Sequence, residues 1–267
     1  LDGASLVFRG GTHVIDGSHS FAAISLLDGA VLTHSACTAD TVNRLDVIVA
    51  GTVFVDAASA ISADGKGYLP GRTGGNVAQD PTQHAGGGSH GGLGKTGTTV
   101  GAIPAAYGDF ANPIEPGGGG GHYPGGGLIR LRAGTLRLDG ALRANGASAA
   151  SSSAVGAGAG GGIRLDVGTL AGIGRISADG GSGDGGYYGY FGGSGGGGRV
   201  AVYYDTLAGF DPEMQVTALT RNYPIGPGSV GTVYLKPSGR DAEQLRIDSH
   251  GTATAGATPL LPNAGGT

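Results

Sequence analysis

The chain has 267 residues, 60 of them glycine and 12 proline, yet only 13% are charged, 39% are hydrophobic, and the net charge is -4. Low charge beside this much apolar content argues for a folded chain whose glycine is held in place, against a disordered one. A single cysteine, Cys37, rules out an internal disulfide and any Cys/His zinc spacing; no basic run marks a nucleic-acid footprint, and no apolar stretch reaches membrane-spanning length.

Taken from the N-terminus, the first residues, Leu1 onward, carry neither a methionine nor a signal-peptide pattern, as expected of a mature product or a piece of something longer. GGTHVIDG and DGAVLTH follow as short coils, and AGTVFVDAASAISADG ends at Gly65 as a fuller one. The next block, 65–127, holds 22 glycines and interrupts the pattern. GGGLIRLRAGTLRLDGALRANG then ends at Gly146, and GGGIRLDVGTLAGIGRISADG at Gly180, with Thr135 and Thr169 in equivalent places. A further copy, GGGGRVAVYYDTLAGF, places Thr206 there, and the upstream coil supplies Thr52. GSVGTVYL restarts the first strand at Val233, and LRIDSHG reads as another strand.

Within each copy apolar residues alternate with polar ones, as Ile129 and Leu131 do with Arg130 and Arg132, which is the strand period. Helix signals are scarce; the best, Asp211 to Gln215, reads as a turn. Seven Asp-Gly pairs and Asn145-Gly146 read as corners in left-handed backbone. A unit this short buries its apolar face only by stacking on its neighbours. The expected fold is therefore all-β: one domain over 1–267, a right-handed parallel β-helix (solenoid) of about six to eight coils. An antiparallel sandwich is the weaker alternative, since it does not explain the matched positions.

Two glycine-dense segments interrupt this frame: the Gly/Pro/His-rich insertion 65–127 and the Gly/Tyr-rich loop 180–198, with 12 glycines in 19 residues. Glycines 183, 186, 189, 192, 195 and 198 fall three apart, as do 88, 91, 94 and 97. Three residues per turn is the polyproline-II period, so these loops are expected to pack on one flank as extended helices that exchange backbone hydrogen bonds.

A loop as long as the insertion is the natural place for a binding site. It carries His84, His90, His122 and Tyr123, and the second loop carries Tyr187, Tyr188 and Tyr190; these seven are the candidate ligand-binding residues. The plainer reading makes them polar solvation and aromatic plugs that anchor the loops. Catalytic patterns are weak. The two G-x-S-x-G matches, at Ser89 and Ser194, lack a strand-to-helix setting. Lys95, His90, Tyr123 or Glu115 could serve a polysaccharide lyase or hydrolase, but no spacing selects them. Asp179 and Asp184 bear a faint likeness to a calcium-binding β-roll turn, yet Asp-Gly corners explain them without metal. No cofactor and no metal site are expected, with calcium kept as the weaker alternative.

ISADGKGYLPG, GGGSHGGLG, YGDFANPIEPGGGGG, GGGIRLDVGTLAGIGRISADGG and GGGGRVAVYYDTLAGF together resemble glycine-rich β-helical segments of very large secreted bacterial proteins of the adhesin or surface-repeat type. The resemblance covers about residues 40–240 and implies a secreted or cell-surface module with a structural or adhesive role. It brings no catalytic residue with it. The expected partners are neighbouring domains, further copies stacked head to tail into filaments, or a glycan surface. The alternative is a carbohydrate-binding or polysaccharide-degrading β-helix with its site at 65–127.

Overall fold

A computed structural model of the chain describes residues 2–79, 85–98, 103–150, 155–184, 190–221, 226–239, 242–254 and 256–260. The N-terminal part contributes β1 (Ser5–Arg9), β2 (Thr12–Val14), β3 (Gly17–Phe21), β4 (Ala23–Leu27), β5 (Val31–Thr33), β6 (Leu45–Val55) and β7 (Ala60–Ser62). Inside the insertion, β8 (Arg72–Thr73) and β9 (Val77–Ala78) form a small antiparallel pair. Then come β10 (Leu128–Leu138), β11 (Ala141–Arg143), β12 (Gly162–Ala171), β13 (Arg175–Ser177) and β14 (Arg199–Ala208). The chain continues through α1 (Pro212–Gln215), β15 (Val216–Thr217), β16 (Thr232–Pro237) and β17 (Gln244–Arg246).

The long strands line up as β1-β4-β6-β10-β12-β14-β16-β17, with β3 also on β6, giving a nine-stranded sheet. The short strands make a six-stranded sheet in the order β15-β13-β11-β7-β5-β2. Alternation explains the pairing: Leu131, Leu136 and Leu138 point inward and are at most 2% exposed, whereas Arg132 and Arg137 point out. Val, Ile and Leu from both sheets form one core, with Leu32, Ile61, Leu142, Ile176 and Val216 facing it from the short strands. The register sets Thr52 beside Thr135, Thr135 beside Thr169, and Thr169 beside Thr206.

The right-handed parallel β-helix expected from the sequence is not what these strands form. They make a mixed, mostly parallel sheet system with almost no helix, and no closed solenoid is detected among the described residues. Two features account for the difference. β17 runs antiparallel to β16, and β8 to β9. Among the described residues, the segments that join the short strands from β7 onward to the next long strand form no ladder with either large sheet, because the chain there is rich in glycine.

Those glycine segments are nevertheless tightly bonded. Ala157 N–H donates to Gly193 O (3.0 Å) and Gly160 N–H to Gly196 O (2.9 Å); Gly193 N–H donates to Ala85 O (2.7 Å) and Gly196 N–H to Gly88 O (3.0 Å). In the opposite direction Lys95 N–H bonds Ser194 O and Gly92 N–H bonds Gly197 O, both at 2.8 Å. Each series advances by three residues, one turn of a polyproline-II helix. Only glycine fits: a Cβ on Gly192, Gly195 or Gly198 would stand 1.9, 1.9 and 2.2 Å from the carbonyl oxygens of Val155, Gly158 and Gly161. The bundle joins the sheets at four equivalent bonds of 2.7 Å, from the N–H groups of Gly127, Gly161, Gly198 and Gly231 to the carbonyls of Ala63, Ala144, Ala178 and Ala218.

The Asp-Gly pairs play two parts. Gly3, Gly17, Gly29 and Gly65 do take positive φ, but of the aspartates before glycine that are described only Asp28 does so. Asp64 and Asp179, with Asn145, reach along the stack to backbone N–H groups of the next turn, so the Asp64-Gly65 pair does both. The stretch read as a turn at 211–215 is one turn of helix, opened by Asp211, whose carboxylate accepts Glu213 N–H at 3.0 Å, with Pro212 in the first turn.

Candidate functional site

The insertion packs against the first residues of the long strands. Tyr68 donates its hydroxyl to Glu115 Oε1 (3.0 Å), which also takes Gly75 N–H (2.6 Å), and Tyr107 donates to Pro116 O (2.7 Å). These bonds tie three points of the insertion together. Residues 107–113 then cross the outer face of the nine-stranded sheet. Arg164 Nη1 donates to Asn112 Oδ1 (2.6 Å), Tyr203 donates to Ala111 O (2.8 Å), and Phe110 lies 5.6 Å from the Tyr234 ring. Arg164 is also held by both oxygens of Asp166 at 2.9 Å, and its guanidinium sits 4.6 Å from the Tyr203 ring centroid.

Behind this crossing lies a buried polar cluster. His90 is fully buried; its Nδ1 is 2.9 Å from Gly160 O, which can only accept, so Nδ1 carries the proton and Nε2 is a lone pair. Tyr107 packs on the imidazole at 4.8 Å. Arg199, 1% exposed, donates from Nε to Tyr107 O (2.7 Å) and from Nη1 to Thr232 Oγ1 (3.3 Å). His90 Nε2 and Arg199 Nη2 have no hydrogen-bond partner. Burial first, then the neighbouring Arg199 charge, pushes the His90 pKa down to about 3, and burial lowers that of Arg199 to about 10. Burial likewise raises the Tyr107 and Tyr68 hydroxyls, with Glu115 adding to the effect.

The sequence candidates are scattered. His84, Tyr187 and Tyr188 lie outside the described residues. His90 is interior. His122 is exposed, and the half-buried Tyr123 accepts Ala150 N–H at its hydroxyl (3.0 Å). Tyr190 is exposed. Ser89 and Ser194 are buried within the glycine bundle, where their hydroxyls accept Gly94 N–H (2.9 Å) and Gly183 N–H (3.3 Å). Asp184 accepts Val155 N–H. Among the described residues no group of three or more His, Cys, Asp or Glu side chains is placed to hold a metal ion, and no helix is long and apolar enough to cross a membrane.

The sequence reading missed Arg199 and Tyr107. The signal for Arg199 is its register: it pairs with Gly162, which in turn pairs with Leu128, so a charge occupies a place where an earlier strand has leucine. Tyr107 had no comparable mark.

Among the described residues, grooves open to solvent include the following. One of about 430 Å³ lies at the N-terminal end, lined by Leu6, Phe8, Val14, Ile15 and Phe21 with Asp2, Asp16 and His19 at its rim. A second, about 400 Å³, runs over the six-stranded sheet beside Arg143 and Arg175, and a third, about 180 Å³, is beside Lys95 and Ser229. None of them contains His90, Tyr107, Glu115 or Arg199. No family model matches the chain, and neither a curated protein nor a solved structure matches it.

Proposed function

We propose that the chain is a rigid structural module of a secreted or cell-surface protein, serving attachment or assembly. The observation that carries this reading is the use made of the polar insertion. The groups best suited to acid/base work, His90, Tyr107 and Glu115, are spent on internal bonds that tie the insertion down. A catalytic acid or base must reach substrate, whereas His90 has no exposed surface. The glycine bundle favours the same reading, since its hydrogen bonds run between segments far apart in sequence and so stiffen one whole side.

The extracellular setting rests on the sequence resemblance. Head-to-tail stacking would need both edges of the nine-stranded sheet, and β17 already lies along β16 at one of them. The purified chain, offered to a glycan array and to polysaccharides with reducing-sugar and unsaturated-product readouts, is expected to bind or assemble without turnover. Turnover that disappears in Lys95→Ala would favour the carbohydrate-active alternative.

A further inference from the structure

We propose that residues 107–113 are a strap released by acid, with His90 as its proton-operated latch. The strap covers the outer face of β12, β14 and β16, where Arg164, Tyr203 and Tyr234 meet Asn112, Ala111 and Phe110. Its first residue, Tyr107, is packed on the His90 ring and accepts Arg199 Nε at its carbonyl. The next, Gly108, has φ +77° and lies against both groups: its Cβ position is 3.4 Å from His90 Nε2 and 3.5 Å from Arg199 Nε.

This arrangement tolerates only a neutral imidazole. Adding a proton at Nε2 turns a buried lone pair into a buried N–H that has no acceptor, next to a guanidinium whose Nη2 also has none. The charged and titratable groups that face the latch are Arg199 of β14, Tyr107 and Asp109 of the strap, and Tyr68 and Glu115 behind Tyr107. Asp109 offsets part of the Arg199 charge; on the glycine side the described groups at the ring are the carbonyl of Gly160, already bonded to Nδ1, and that of Gly161, which accepts the backbone N–H of Arg199. With the strap lifted, His90 and Arg199 reach water and the proton is accepted at the ordinary histidine value. Release uncovers a platform of Arg164, Tyr203 and Tyr234, in which the Tyr203 hydroxyl and Arg164 Nη1 lose their strap partners while Asp166 still holds the rest of the guanidinium.

Hydrogen exchange with mass spectrometry, corrected for intrinsic rates, tests this on the intact chain at neutral pH and at steps down into acid. The opening constant of 107–113 is expected to rise about tenfold per pH unit below the ordinary histidine value and to stay far above that of β12 at every pH, although the whole fold also loses stability in acid. His90→Asn keeps a donor for Gly160 and takes up no proton, so its strap should lose that pH response. Should that variant fail to fold, the order of opening in the native chain still decides the matter. Strap and sheet opening together, or an unchanged acid response in His90→Asn, would overturn the proposal.

Discussion

The side-chain carbonyl of Asn145 accepts the backbone N–H of Asp179 at 2.8 Å, although the two are 34 residues apart. The bond is one of three: Asp64 Oδ1 takes Asn145 N–H (2.7 Å) and Asp179 Oδ1 takes Leu219 N–H (2.8 Å). These side chains therefore act as rungs between successive turns, at the edge where the short strands meet the glycine bundle. Asn145→Ala leaves the Asp179 N–H without its partner and is expected to lower stability by about 1–3 kcal/mol, read from the denaturant midpoint.

Asn145→Asp keeps the acceptor but places a third carboxylate between Asp64 and Asp179. Its loss should be smaller and should shrink as salt is added, because like charges are screened. Equal losses for the alanine and aspartate variants, insensitive to salt, would show that packing rather than the bond matters there.

Glycine is required in the bundle for a different reason than at a turn. Gly195→Ala brings a methyl to 1.9 Å from Gly158 O, a clash with the backbone of Gly158 and Ala159 that no rotamer relieves. It is expected to cost about 3 kcal/mol or more. Gly209→Ala, at φ +75° with nothing near its Cβ position, meets only backbone strain and should cost about 1–2 kcal/mol. Thermal melts of the two variants give the comparison.

Acid should weaken the whole fold through His34 as well as through the strap. His34 donates from Nδ1 to Ser35 O (2.7 Å) and accepts Leu128 N–H at Nε2 (3.3 Å), and this second bond exists only while the ring is neutral. Burial holds its pKa below the ordinary 6.5. The unfolded state then binds the proton more readily, so stability is fully present above about pH 6.5 and declines as the pH falls toward the lower folded value. His34→Gln, which retains an acceptor for Leu128, should flatten the slope of the urea midpoint against pH.

Glu115 is predicted to matter as an acceptor and not as a base. Glu115→Gln still offers an oxygen to Tyr68 and Gly75 and should cost well under 1 kcal/mol. Glu115→Ala strands both donors and should loosen the insertion, seen as faster exchange at residue 75.

Much of the frame was legible from alternation alone. The spacing of Thr135 and Thr169 matches their register, and Arg130 pairs with Arg164 as the aligned copies suggest. What did not follow was closure into a solenoid, because glycine carries no side-chain pattern from which to read what one flank packs against. The Asp-Gly corners were only half right for a related reason. A short polar side chain before glycine fits a turn and a rung equally well, and the choice depends on which N–H the next turn brings within reach. The site fared worse. His90 looked like a surface ligand because its glycine neighbours look like loop, yet backbone at van der Waals distance buries it as thoroughly as leucines would.

The most direct test of the account is amide exchange in the segments 155–161 and 192–198 of the native chain. If the glycine bundle is an ordered, cross-bonded part of the fold, these amides exchange as slowly as those of β10 and β12. Exchange there at rates near those of an unfolded chain, with the strands still protected, would contradict it.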